Sequence, residues 1–302
     1  MKTPAPTTPT LSLAAVLALL LTAPLAAADT PINRRTAADP TGLVEISNTA
    51  GHVTVTGWER NEVEVTGSLG DGSERLDFTT ASKVTRVKVV LPSKSWGVED
   101  TDLIVKVPAG SSVTVNTVSA DIEVHGVRGS QRLQSVSADV ATEAGAEDVE
   151  CKTVSGDLTV AGTGQKGLLT ITTVSGDATV SRVAGEVNGN TVSGNFTLGV
   201  GETARSRLRT TSGDLSLTSQ LAPDGRLDVE SISGDVRLDL AQPVNAEFEV
   251  SSFSGEIRNC FGPKATRTDE YAPGKELRFV EGKGAARVRI KTLSGDVNVC
   301  RK

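Results

Sequence analysis

The stretch TTVSGDATV, residues 172–180, is spelled almost identically twice more, as KTVSGDLTV at 152–160 and KTLSGDVNV at 291–299. One phrase used repeatedly in a chain points to a repeat architecture, in which each unit buries its apolar face only against its neighbours. Aligned on the residue that follows Ser-Gly, the phrase recurs at His52, Asp121, Asp139, Asp157, Asp177, Asn195, Asp214, Asp235, Glu256 and Asp296. These ten positions are called the acid slots of repeats 1 to 10. From Asp121 to Glu256 they follow one another every 18 to 21 residues, whereas gaps of 69 and 40 residues precede Asp121 and Asp296.

Each column of the aligned repeats has one character. Two residues before the acid slot stands Ser, with Ala50 the exception; one before it stands Gly, except at Ala120 and Ala138. Four before it is always Asn, Ser or Thr. Six before and one after, the residues are apolar, with Gly189 the one departure. Upstream the apolar positions are even, as at Leu169 and Ile171, and downstream they are odd, as at Ala178 and Val180. A straight strand cannot change the parity of its inward face, so the chain must turn at Ser-Gly. The acid then serves as a turn residue, bonding to its own turn backbone. Ala120 and Ala138 in the glycine column imply that smallness matters there more than a positive φ.

Strand, Ser-Gly-Asp arc, strand and a variable second turn together make a coil of about 19 residues, with a path of roughly 60 Å. The expected fold is all-β: a single-chain β-solenoid, resembling a parallel β-helix, with an irregular N-terminal β cap. Aromatic residues make up only 3% of the 302, which suits many thin strands better than one thick core.

Residues 1–28 read as a secretory signal, with Lys2, the apolar run LSLAAVLALLL (11–21) and an AAA cleavage site (26–28). The apolar run is shorter than the roughly 20 residues of a membrane span. Residues 29–40 read as a flexible linker, 41–111 as an N-terminal β region holding the first repeat and the cap, and 112–302 as the repeat body with an inserted loop at 261–286. The location expected is periplasmic or extracellular. A net charge of −6 without any basic run makes nucleic acid an unfavourable partner.

Cys260 and Cys300 both lie four residues after an acid slot. One slot in neighbouring coils places them about 4.8 Å apart, within disulfide range, and export permits oxidation. The expected bridge staples the last coil and closes the inserted loop. Cys151 falls in a core column between Leu133 and Ile171 and reads as a small apolar residue.

The chemistry-bearing patterns point mostly to structure. GTGQKG (162–167) matches a glycine-rich phosphate loop, but the strand-like LLTIT follows it instead of a helix. Stacked acids could form a calcium ladder, yet His52 and Asn195 interrupt the column, so turn-capping is the better reading and no cofactor or metal is expected. Glycan-cleaving solenoids need two carboxylates in distinct environments, and here the acids are nearly equivalent. His52 and His125, the only histidines, belong to no zinc motif. The expectation is therefore no enzyme, with a polysaccharide-active β-helix or a calcium-responsive structural protein as alternatives.

The inserted loop carries Tyr271 and Phe279 beside Arg267, Lys275 and Arg278. Long loops on a rigid scaffold carry binding, so Arg267, Tyr271, Arg278 and Phe279 are the candidate binding residues; the plainer alternative is a terminal cap or hairpin.

With these columns in place the chain resembles the bacterial DUF4097 family, whose members carry a provisional adhesin label and a β-strand repeat. The resemblance covers roughly residues 41–302 and rests on GHVTVTGWERNEVEVTGSLGDG, the TVSGD phrases, and the tail from RNCFGPKATRTDEYAPGKELRF to LSGDVNVC. It implies an exported, envelope-associated β-solenoid. The function expected is binding, adhesion or scaffolding, with a cell-envelope component or a surface glycan or protein as partner and self-assembly open. The resemblance brings no ligand and no catalytic residues.

Overall fold

The computed structural model describes residues 30–93, 97, 99–269, 271 and 273–302, with backbone alone at 200 and 203. The expected signal segment, 1–28, lies outside the described residues.

Every regular element among the described residues is a β-strand. The N-terminal region holds β1 (Thr30–Ala37), β2 (Leu43–Trp58), β3 (Glu62–Leu69), β4 (Arg75–Ala81), β5 (Val84–Val90) and β6 (Thr101–Pro108). The regular repeats follow as β7 (Ser112–His125), β8 (Gln131–Gln134), β9 (Val140–Ala144), β10 (Val149–Lys152), β11 (Leu158–Gly162) and β12 (Lys166–Thr172). They continue through β13 (Ala178–Asn190), β14 (Phe196–Thr210), β15 (Leu215–Ser231) and β16 (Val236–Leu240). The C-terminal part comprises β17 (Ala246–Ser252), β18 (Ile257–Asn259), β19 (Thr266–Arg267), β20 (Lys275–Glu281), β21 (Ala286–Thr292) and β22 (Val297–Arg301).

Repeat pairs with repeat in parallel and in register. Val149 of β10 faces Gln131 of β8 on one side and Leu169 of β12 on the other, and Leu158 of β11 lies between Val140 and Ala178. Upstream strands thus form one parallel ladder and downstream strands another. The even upstream and odd downstream apolar positions meet between them: Leu169, Ile171, Ala178 and Val180 are all essentially buried, as is Cys151 between Leu133 and Ile171. Gly189 in the upstream apolar column has a packing reason. A Cβ there would sit 2.6 Å from the ring of Phe196, so the missing side chain makes room for one of the largest buried residues.

Residues 30–37, expected as part of a flexible linker, instead form β1, which pairs antiparallel with β3 from Thr30–Leu69 to Ala37–Glu62. Ile32 gives the strand a buried anchor. β2, the first repeat, pairs in parallel with β7 on one side and with β5 and β6 on the other. Antiparallel strands β3 and β4 then pair with β6 and β5, ending the parallel ladders.

The C-terminal repeats do not stack in chain order. β15 and β16 of repeat 8 pair with β21 and β22 of repeat 10, and those pair with β17 and β18 of repeat 9. The last repeat in the chain is therefore inserted between the two before it. Residues 261–286 are not an excursion from a variable turn. They cross the outer side of repeat 9, where β20 pairs antiparallel with β17, and return the chain to the inner position. The Cys260–Cys300 disulfide is present, with Cα atoms 4.8 Å apart. It joins repeats 9 and 10, the outermost repeat to the one inside it.

Candidate interaction surface

The arc T-V-S-G-D assigns one task to each residue. The hydroxyl four before the acid slot points inward and closes the turn: Thr173 Oγ1 accepts the Gly176 N–H at 3.1 Å and donates to the Gly176 carbonyl at 3.1 Å. Thr191 and Ser231 do the same for Gly194 and Gly234. The glycine is needed for close approach, since a Cβ on Gly176 would lie 1.8 Å from the Gly156 carbonyl oxygen and one on Gly194 1.9 Å from that of Gly176. Among the column glycines only Gly51 has a positive φ, 103°.

The acid differs from the sequence expectation. It does not bond to its own turn. Each side chain instead accepts the N–H of the acid slot stacked upon it: Asp157 to Asp139 at 2.8 Å, Asp177 to Asp157 at 2.8 Å, Asn195 to Asp177 at 2.8 Å and Asp214 to Asn195 at 3.1 Å. Asp139 donates in the same way to Asp121 and Asp235 to Asp214. The line then runs Asp235, Asp296, Glu256, the same inverted order that the strands show. Its ends are closed by a lysine and a histidine. Lys275 of β20 pairs with Glu256. At the other end His52 Nδ1 lies 2.9 Å from Asp102 and Nε2 3.7 Å from Asp121. The bond to Asp102 and the surrounding carboxylates raise the His52 pKa above its ordinary value, with partial burial opposing.

Three residues before the acid slot lies a column that sequence reasoning passed over. Val118, Val136, Val154, Val174, Val192, Ile232, Phe253 and Leu293 point outward and are 39–55% exposed. Beside them runs the exposed Ser column. The two are held in register by backbone bonds from each Ser N–H to the preceding arc, as from Ser175 to Val154 at 2.9 Å and Ser193 to Val174 at 2.8 Å. The letters were visible in every TVSGD. What was missing was the reason for an apolar residue between two polar ones, because the pattern assigns inward and outward faces only along straight strands.

The second candidate surface is the end hairpin. Phe279 does not stand free: its ring stacks on Phe248 at 4.4 Å and 3°, and packs against Phe261 at 5.6 Å. Arg278, its neighbour on β20, faces the other way and pairs with Glu276 and with Glu249 at 3.8 Å. Arg267 on β19 lies opposite Lys275, and Tyr271 is 91% exposed. Arg267, Tyr271 and Arg278 are each exposed, but the register sets Arg267 on the Lys275 and Phe279 face of the hairpin and Arg278 on the other, and Phe279 is the anchor. Cys151 takes no part in any surface; burial pushes its thiol up to about 12. Among the described residues no helix is long and apolar enough to cross a membrane.

No curated protein matches the chain. Among solved structures, a Parabacteroides merdae protein provisionally described as an adhesin is 10% identical, with 90% of this chain and 99% of that one covered at a TM-score of 0.45. A Bacteroides fragilis protein with the same description is 8% identical over 90% and 97%, TM-score 0.40. A Clostridium sporogenes protein provisionally described as a cell adhesion protein is 10% identical over 90% and 100%, TM-score 0.22. The family model of Toastrack DUF4097 matches residues 44–300, a span that takes in all ten acid slots, and the chain belongs to that family.

Proposed function

We propose that this chain is a β-solenoid exported to the cell envelope, where it acts without catalysis as a rigid binding or adhesion module. The observation that carries the reading is the end hairpin. An exposed aromatic, Tyr271, and two exposed arginines, Arg267 and Arg278, sit on a segment locked to the solenoid by the Phe248–Phe279 stack and by the Cys260–Cys300 bridge at its base. A site whose aromatic and guanidinium groups are held on a rigid frame loses little entropy on binding. The bridge also favours an oxidising compartment. A non-catalytic role is favoured by the sameness of the acids: each from Asp121 to Asp296 accepts one backbone N–H from the next slot. Acid–base chemistry needs carboxylates in contrasting environments.

The test is co-sedimentation of the exported protein with purified cell-wall and outer-membrane fractions. Saturable binding is expected, together with its loss in the triple variant Arg267→Ala, Tyr271→Ala, Arg278→Ala. Phe279 is left intact because its removal would open the end of the core. Binding unchanged in the triple variant would overturn the assignment of the site, and turnover of acidic glycans by the purified protein would overturn the non-catalytic role.

A further inference from the structure

The outward apolar column lies outside the buried core and has no part in the hairpin. Val118, Val136, Val154, Val174, Val192, Ile232, Leu293 and Phe253 follow one another in stacking order, broken only by Thr211. At about 4.8 Å per step the line runs about 38 Å. Full burial of such a side chain is worth about 1.5–3 kcal/mol at about 25 cal/mol per Å², so each offers on the order of 100 Å² when free. Exposures of 39–55% therefore leave an apolar strip on the order of 400 Å², within the range of the largest patches found on monomers.

We propose that this ridge is the interface between two copies of the chain, packed ridge to ridge and running in the same direction. Three observations select that occupant. The first is pitch. The ridge's spacing is fixed by backbone bonds between arcs, and a second copy carries apolar groups at the same spacing along the same length. The second is area. The strip supplies about half of the ~800 Å² per partner of a standard interface, and the exposed Ser column beside it lies where a polar rim would. The third is charge. Beyond the Ser column lies the acid line, with Asp121, Asp139, Asp157, Asp177, Asp214, Asp235, Asp296 and Glu256. The opposite flank, five residues before the acid slot, exposes Lys152, Arg209 and Lys291 and one acid, Glu230; Arg209 is already paired with Glu230 and Lys152 with Glu150, so the flank is only weakly cationic. A two-fold axis along the ridge sets each copy's acid line against the other's cationic flank. An axis across the ridge would set acid against acid, which is unfavourable.

The measurement is the mass of the exported protein by sedimentation equilibrium over a wide concentration range. The expected mass is twice that of one chain, falling to a single chain in the double variant Val154→Lys, Val174→Lys. Both sites are exposed, and circular dichroism checks that the variant folds. Single substitutions Val136→Cys, Val174→Cys and Ile232→Cys report direction: with the axis along the ridge, each cross-links to itself on oxidation. A single-chain mass throughout, or a double mass unchanged by the two lysines, overturns the proposal. Cross-linking at mid-ridge alone overturns the parallel arrangement.

Discussion

At the scale of single residues, the glycine and the acid of the arc do different work, and substitution separates them. A Cβ on Gly176 would stand 1.8 Å from the Gly156 oxygen, so the arcs must shift there; the column carries a Cβ only at Ala120 and Ala138, at one end of the regular repeats. Gly176→Ala is therefore expected to destabilise by about 1–3 kcal/mol in chemical denaturation. The acid needs only an acceptor, a task that Asn195 already performs. Asp157→Asn is expected to leave the denaturation midpoint almost unmoved, and Asp157→Ala to cost about 1 kcal/mol through the unmet Asp177 N–H. His52 gives the line a pH dependence. Its folded pKa is raised, so its contribution is fully present below the unfolded value of about 6.5 and fades as pH rises through the folded value. The melting temperature of wild type should exceed that of His52→Asn at about pH 5 and converge with it by about pH 8.5. Because the ring is 63% exposed, solvent screening keeps the effect below about 1 kcal/mol. A gap that widens with rising pH would contradict this role.

At the scale of elements, the last repeats carry a rule legible only once pairing is known. Seven residues before the acid slot, repeats 7 to 10 read Arg207, Asp228, Glu249 and Arg289 in chain order. In stacking order they read Arg207, Asp228, Arg289, Glu249, so every neighbour is of opposite sign, the favourable cross-strand pairing. The sequence held this hint of inversion, yet charge alternation between repeats is too weak by itself to overrule chain order. The ten arcs, both core columns and the disulfide were readable because each rests on spacing. The path of residues 261–286 was not, since an insertion of that length can close in many ways. Nor was β1, whose polar, arginine-bearing stretch has one buried residue, Ile32, and gains its strand from the open edge of β3. The bridge ties the outermost repeat to the one beneath it across 40 residues. The pair Cys260→Ser, Cys300→Ser should lower stability by about 2–4 kcal/mol. Hydrogen exchange should quicken first in β17 and β20, the strands that close that end.

At the scale of the whole molecule, repetition decides which positions are exposed in lines. Most arcs present the same outward residues, so one apolar letter becomes a ridge, broken at Thr211, and one acid becomes a line, with Asn195 in it. The few departures, His52 at one end and the hairpin at the other, mark where the repetition stops. That picture depends on a single parallel stack in the order 1 to 8, then 10, then 9, and distance between spin labels tests it directly. Ser119→Cys serves as the reference, combined with either Ser294→Cys or Ser254→Cys in protein diluted with unlabelled chain. Cys151, buried with its thiol pushed up to about 12, does not compete for label. The stack places Ser294 seven strand spacings from Ser119, about 34 Å, and Ser254 eight, about 38 Å. A shorter distance to Ser294 than to Ser254, although Ser294 lies forty residues further along the chain, is the result predicted. The reverse order, or two distances far below these lengths, would contradict the stack and the surfaces built on it.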